Sequence, residues 1–424
     1  MSLKKTPPIL SLPLELREQI YGDVLLYSRK DAQFLRVCHQ IYMEAQPFIF
    51  KRHLKFISQA ELHRWLGIVD TQNLHHVTSI SLQLQDIDLS PLLSPLPNQD
   101  APQLLCWDLY EKELENLARA LRKLPNIRSF AILKPKPSQM HSYLYREFLC
   151  SFSALVGKCY LKLRHLTLHE DQQTLAFLVS MQSLRKFRFS GSSITSPAET
   201  LSILSQMPQL TELEIFTQPH VKLVGEYRPD PSYGRYQSLT PDVLRSIRPL
   251  KSFAIHERSG LDVSATAFFN PAIFDALRDS HGFSLRTLRL SLDFTPDLSS
   301  FSAFRQFITE SSVQHLEIDW PDLEPEALDG LLPRSLRSLC VSVESSTSAF
   351  DVIWEIIRSK LELPALHEVA IVADWELLEY YDDTSKVYDI LPDELELAMI
   401  ELRALGVRTF KSNCQFLGTE RGFI

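Results

Sequence analysis

The feature that most constrains this chain of 424 residues is a short pattern, apolar-x-x-apolar-x-apolar, that returns eleven times. It reads VTSISL from Val77, IRSFAI from Ile127, LRHLTL from Leu163, LRKFRF from Leu184 and LTELEI from Leu210. It continues as LKSFAI from Leu250, LRTLRL from Leu285, VQHLEI from Val313, LRSLCV from Leu336 and LHEVAI from Leu366. The last copy, VRTFKS from Val407, puts Ser412 in the final apolar slot. Copies recur at intervals of roughly 20 to 50 residues, the range of supersecondary repeats. In each, the last two apolar positions lie two apart, which is strand periodicity with one buried face.

Helical patterns fill the intervals. Between Glu111 and Leu124, Leu114, Leu117, Leu121 and Leu124 share one face. Ser196-Pro197, Thr240-Pro241 and Asn270-Pro271 each pair a side-chain acceptor for orphan N–H groups with a proline suited to the first helical position. Pro392 is placed to open the final helix. A single strand-helix unit cannot bury its apolar face, so stacked copies must share a core, with parallel strands on one side and helices on the other. The predicted class is α/β. A chance run of similar strands in an ordinary α/β domain is the competing reading, and eleven copies in one phase argue against it.

Residues 9–55 read differently. In ILSLPLELREQIYGDVLL, Leu12, Leu16, Ile20 and Val24 fall at four-residue spacing, as on one helix stripe. Asp31 is placed to cap a second helix with Leu35, Cys38, Tyr42 and Ala45 on one face, ended by Pro47. A helical module this small is marginal alone and needs a surface to dock on.

Composition limits the chemistry. Glycine numbers only 12, and no phosphate-cradling or nucleophile-elbow motif is present. The net charge of −8 is accounted for by 374–396, which holds nine acids and one base and leaves 43 of each sign elsewhere. A balanced body with one acidic stretch lacks the basic face of a nucleic-acid binder. No apolar run reaches the ~18 residues of a membrane span, and no secretory signal is evident at the start. The six cysteines are scattered without a C-x-x-C, which favours a reducing cytoplasmic or nuclear setting. No cofactor is implied. His165 and His169 lie too far apart on a strand to share a metal, His75 and His76 need not converge, and no Cys/His spacing matches a zinc site.

LSLPLELREQIY (10–21) followed by FLRVCHQIYMEAQPFIF (34–50) resembles the F-box-like module of many fungal proteins. The strands from 77 to 413 resemble leucine-rich repeats of the long, irregular kind, although the Asn or Cys that usually follows the strand is mostly missing. Together these resemblances imply an F-box-like module at 9–55, a leucine-rich-repeat solenoid at 56–413 with its strands concave and helices convex, and a tail at 414–424. They imply a substrate-recognition subunit of a Skp–cullin–F-box ubiquitin ligase: an adaptor at one end, an unknown target protein on the repeat arc, and no catalysis in the chain. Adaptor contacts then fall on Leu12, Pro13, Leu14, Leu16 and Ile20, supported by Val37 and Cys38, although packing within the module is an equal use for Leu16. A non-degradative scaffold, whose first helices merely cap the solenoid, remains the alternative.

On each strand the residues between the apolar ones face outward. This gives His165, Thr167 and His169; Lys186 and Arg188; Glu212, Glu214 and Phe216; then His256, Arg289, His315, Glu317 and Asp319. These are the candidate target contacts, and Lys186/Arg188 is expected beside Glu212/Glu214. Cross-strand pairing on a solvated face is the plainer reading of the same pattern. Two long insertions, 88–106 and 217–239, interrupt the rhythm. The second carries Tyr227, Arg228, Tyr233, Arg235 and Tyr236, types favoured at interface hot spots, though a spacer is an equal reading. The acidic stretch reads as a solvated loop or as a surface for a basic partner.

Overall fold

A computed structural model describes residues 8–27, 31–87, 102–134, 143–169, 173–217, 236–258, 268–321, 323–328, 330–343, 346–373 and 392–413. The insertion segments 88–101 and 218–235, with Tyr227, Arg228, Tyr233 and Arg235, lie outside the described residues. So do 374–391 and 414–424. The chain divides into two compact units, Met1–Leu184 and Arg185–Ile424.

The first unit opens with helices α1 (Leu14–Tyr27) and α2 (His39–Lys51), followed by strand β1 (Leu54–Phe56). Strands β2 (Ser79–Gln83), β3 (Ser129–Leu133) and β4 (His165–Leu168) follow, all parallel in the order β1-β2-β3-β4. The helices Pro102–Arg122 and Tyr143–Cys159 form the crossovers. The first starts well before Glu111, so the last five residues of the 88–106 insertion are helical.

Among its described residues the second unit holds eight parallel strands in chain order: β5 (Lys186–Phe189), β7 (Glu212–Phe216), β9 (Ser252–Glu257), β10 (Thr287–Leu292), β11 (His315–Asp319), β12 (Ser338–Ser342), β13 (Glu368–Ala373) and β14 (Arg408–Asn413). The short strands β6 (Ser192–Ser193) and β8 (Tyr236–Gln237) pair antiparallel beside them. Every one of the eleven sequence copies thus contains a strand.

The reason is visible in two recurring interactions. The first apolar residue of each copy, from Val77 through Leu210 and Leu285 to Val407, is buried. It acts as an anchor beneath the point where the chain turns into its strand. Just after it, two successive N–H groups converge on one carbonyl of the preceding copy. Arg128 and Ser129 donate to the Thr78 oxygen, Arg164 and His165 to Arg128, Thr211 and Glu212 to Arg185, and Lys251 and Ser252 to Thr211. The device continues with Arg286 and Thr287 on Lys251, Gln314 and His315 on Arg286, Arg337 and Ser338 on Gln314, and His367 and Glu368 on Arg337. Repetition of one backbone device locks the register that the apolar pattern selects. Each fully buried Leu or Ile adds about 1.5–3 kcal/mol.

The helix starts follow their signals. Ser196, Thr240 and Asn270 each accept the N–H of the third residue onward, with proline next in line. Ser196 and Glu199 form a reciprocal capping box. Asp297, unremarked in the sequence, caps Leu298–Glu310 through the N–H groups of Ser299 and Ser300. The Ser299 and Ser300 hydroxyls also donate to it, and their bonds, with a smaller part from the N–H groups, hold its carboxyl well below the usual range. Pro392 opens the helix Pro392–Ala404.

The N-terminal helices depart from expectation. Leu12 precedes α1, and the buried face is Tyr21 and Leu25 with Val24 beside them; Leu16 and Ile20 lie on another face. Asp31 begins a 3-10 turn, Asp31–Arg36, and α2 starts at His39 with Cys38 as its cap. Tyr42 is exposed and is not part of a buried stripe with Leu35 and Ala45. Pro47 sits inside α2, which runs on to Lys51 because Ile41, Ala45 and Phe48 all pack into the module's core.

A polar latch fixes α1 against α2. Arg17 donates from Nε and Nη2 to the two carboxylate oxygens of Glu44, both at 2.8 Å, and the Tyr21 hydroxyl donates to Glu44 Oε2 at 2.9 Å. The Arg17 and Gln40 hydrogen bonds hold the Glu44 carboxyl down at about 2, against an ordinary value of 4.5. Burial, with the Glu44 bond, pushes the Tyr21 phenol up to about 12. A lowered carboxyl pKa means the latch stabilises fully above pH 4.5 and fades as pH falls toward 2. Hydrogen-exchange protection across α1 and α2, taken relative to intrinsic exchange at each pH, is therefore expected to fall over that window in the wild type. The fall should be much smaller in Glu44→Gln, and equal acid response in the two proteins would discount the latch.

Candidate functional site

The core of the N-terminal module is Tyr21, Leu25, Leu35, Ile41, Ala45 and Phe48. With those residues inside, other large apolar side chains are left out. Leu14 is 44% exposed, Leu16 47%, Val37 62% and Met43 57%. The Arg17–Glu44 bridge joins the beginnings of α1 and α2, the same helix starts that carry these residues. Pro13 is exposed, Leu12 and Ile20 are half-buried, and Cys38 is half-buried with its Sγ accepting the Ile41 N–H. Packing within the module therefore does not account for Leu16. Sequence reasoning passed over Met43 and placed Tyr42 inside; both face solvent.

In the first unit, β4 presents His165 and Thr167 on the side opposite the buried Leu166 and Leu168, with His169 just beyond the strand. In the second unit the register sets Lys186 against Glu212 and Arg188 against Glu214. The charges then concentrate on one group. Glu214 lies 3.0 Å from Lys186 Nζ, 2.9 Å from Arg188 Nε and 3.3 Å from His256 Nε2. Burial alone would push the Glu214 carboxyl up. The His256 hydrogen bond and the charges of Arg188 and Lys186 outweigh burial and bring its pKa below the ordinary range.

Three expected surface contacts are in fact buried: Glu214 at 7%, Phe216 at 5% and Asp319 at 5% exposure. Glu214 is enclosed by its three partners. Phe216 lies under the Arg188 guanidinium, 4.9 Å from the ring centroid, a cation–π arrangement that covers the ring. Asp319 accepts from Ser291 Oγ at 2.7 Å. His315 and Arg289 are exposed, and Arg289 Nε reaches Glu317 Oε2 at 3.3 Å.

Glu317 is half-buried, and burial pushes its carboxyl up, outweighing the charges of Arg289 and His256, which favour the ionised form; Asp319 and Glu214 add smaller upward effects. Cys340, which the register places beside Glu317, has its thiol pushed up to about 12 by burial and by the charges of Glu317 and Asp319. A thiol held so firmly protonated is a poor nucleophile. Cys340 was legible as an outward residue of LRSLCV, but its partners come from a strand 23 residues earlier, a proximity that only the register supplies. Among the described residues no three His, Cys, Asp or Glu side chains are placed to hold a metal ion, and no helix is long and apolar enough to cross a membrane. What the arrangement offers chemically is charge pairing and apolar contact.

No protein-family model matches the chain, and no curated protein matches it in sequence.

Proposed function

We propose that the chain is the substrate-recognition subunit of a Skp–cullin–F-box ubiquitin ligase, an F-box-like module joined to leucine-rich-repeat-like units. The observation that carries this reading is the apolar surface of the first two helices. Leu14, Leu16, Val37 and Met43 stand out of a module that already has a core of its own, and exposed apolar clusters mark interaction sites. A Skp-type adaptor covers them, with Pro13 and Ile20 at the margin. The strand face then holds a target protein so that a ubiquitin-conjugating enzyme meets its lysines at high effective concentration. The chain itself breaks no bond. The described cysteines 38, 150, 159 and 340 are free thiols, in keeping with a reducing cytoplasm or nucleus.

Co-purification with a Skp-type adaptor tests this. Leu16 is half out of its own fold and sits in the first turn of α1, where an added carboxylate suits the helix dipole. Leu16→Asp is therefore expected to stay folded by circular dichroism while losing adaptor affinity by at least about tenfold, since it buries a charge in the joint. A wild-type chain that leaves the adaptor in the flow-through would favour a scaffold. One observation supports that second reading: β1, directly after the module, pairs with β2, and His53 bonds Ser79 and Ser81 at 2.7 and 2.6 Å, as an end cap would.

A further inference from the structure

We infer that the strand face from β11 to β14 is a trough that seats one extended, basic segment of a target, its cationic side chains toward Glu317 and an apolar one toward Phe410. This rests on the reading that the strand face holds a target, and it adds where and of what chemistry.

The face of the second unit has two different halves. From β5 to β9 it is filled by its own long side chains. Lys186, Arg188 and His256 all close on Glu214, and Arg188 covers Phe216. A partner landing there would have to break ion pairs that are already made. On β12 and β13 the outward residues are small, with Glu368 the exception. The register places Ser338 and Cys340 of β12 in line with Glu368 and Ala370 of β13, and these in line with Arg408 and Phe410 of β14. Ser338, Cys340 and Ala370 each keep part of their surface open to solvent.

The walls are taller than the floor. His315 and Glu317 rise on the β11 side, and Phe410, 44% exposed, on the β14 side. Three strand spacings of about 4.8 Å separate β11 from β14, so the trough is about 14 Å across. That is room for one extended chain with side chains to both sides.

Charge selects the occupant. The cation paired with Glu317 among the described residues is Arg289, which stands on β10, the side away from the trough. The strands of the floor contribute no cation; Arg408 stands on the far wall and is paired with Glu368 at 2.9 Å. Cys340 lies in the resulting field: after burial, the charges of Glu317 and Asp319 hold its proton more firmly than usual, against a smaller opposing effect of Arg289. A lysine or arginine arriving over Cys340 meets that negative potential, whereas an acidic segment is repelled. Phe410 supplies the apolar contact at the opposite wall.

The test uses the full chain and two labelled ten-residue peptides of alternating lysine and threonine, or glutamate and threonine, each with one central leucine, read by fluorescence anisotropy. The lysine peptide is expected to bind at least about tenfold more tightly than the glutamate peptide, with the gap narrowing as salt is raised. Glu317→Gln should reduce the preference severalfold. Ala370→Trp, which fills the floor from a solvent-facing strand position, should abolish binding. Glu310→Gln, on an exposed helix end, should change nothing and so exclude a general attraction to an acidic protein. Equal binding of both peptides, or lysine-peptide affinity indifferent to both Glu317→Gln and Ala370→Trp, overturns the trough. The adaptor experiment reads the first two helices, so a chain that keeps its adaptor but fails here removes the trough alone. A chain that discriminates the peptides without binding an adaptor keeps the trough and loses the ligase.

Discussion

Glu214→Ala is expected to destabilise the β5–β9 region by about 3–5 kcal/mol, the usual consequence of removing one member of a buried ionic group. The asymmetry of the cluster makes this site special. Glu214 is the shared counter-ion of Lys186 and Arg188 and the hydrogen-bond partner of His256. Without it two cations remain side by side with their common carboxylate gone. Lys186→Met leaves Arg188 and His256 on Glu214 and removes a partly exposed group, so its cost should stay within about 1 kcal/mol. Hydrogen exchange at the amides of β5, β7 and β9 is the appropriate readout, because stability in stacked repeats is a sum of local terms. The effect also has a pH signature. A carboxyl whose folded pKa lies below the ordinary 4.5 contributes its full stability above that value and loses it as pH falls through the folded pKa. Glu214→Ala should lack this acid-dependent part of the wild-type curve. Equal costs for Glu214→Ala and Lys186→Met would show that the hub is not held by charge.

How much of this could be read beforehand differs between elements, for physical reasons. The strands were legible because two constraints coincide in each copy: an anchor residue and a two-residue alternation. Even VRTFKS, with Ser412 in its last slot, forms β14. Helix starts were legible where a cap and a proline stand together, as at Ser196, Thr240 and Asn270. The face of α1 was not. LELREQIYGDVLL carries apolar residues all around the helix, so spacing alone offers Leu16/Ile20 and Tyr21/Leu25 equally. The choice is made by Arg17 reaching Glu44, 27 residues away. The limits of α2 were hidden for a similar reason: a proline ends a helix only when nothing beyond it is better buried, and Phe48 is. On the strand face, alternation gave the direction of each side chain but not its crowding. Glu214 and Phe216 point outward as expected and are nonetheless buried, because their neighbours on adjacent strands are long and bend over them.

Gly191→Ala is expected to cost about 2–5 kcal/mol, the sum of left-handed backbone strain and overpacking, and far more than the same change at Gly406. Both glycines have positive φ, +76° and +82°. A Cβ at Gly406 would meet nothing within 4 Å, so alanine there carries backbone strain alone, about 1–2 kcal/mol. A Cβ at Gly191 would stand 2.2 Å from Cζ of Phe268. That ring has nowhere to go. It is buried, and its backbone N–H and that of Phe269 are both held by the Glu257 carboxylate. The Gly191 carbonyl meanwhile accepts the N–H groups of Ser238 and Leu239, which fastens the chain leaving β8 beside β6. Moving Gly191 off the ring therefore pulls on that clip. Gly330 is the intermediate case, since its Cβ would meet the Arg305 guanidinium, the far end of a flexible side chain that can swing aside. The expected order of cost is Gly191, then Gly330, then Gly406, read as urea midpoints with exchange at Ser238 and Leu239 as the local probe. Combining Gly191→Ala with Phe268→Leu, which shortens the obstructing ring, should cost less than the two changes added together. Strict additivity would mean that the ring is not what requires glycine at this turn.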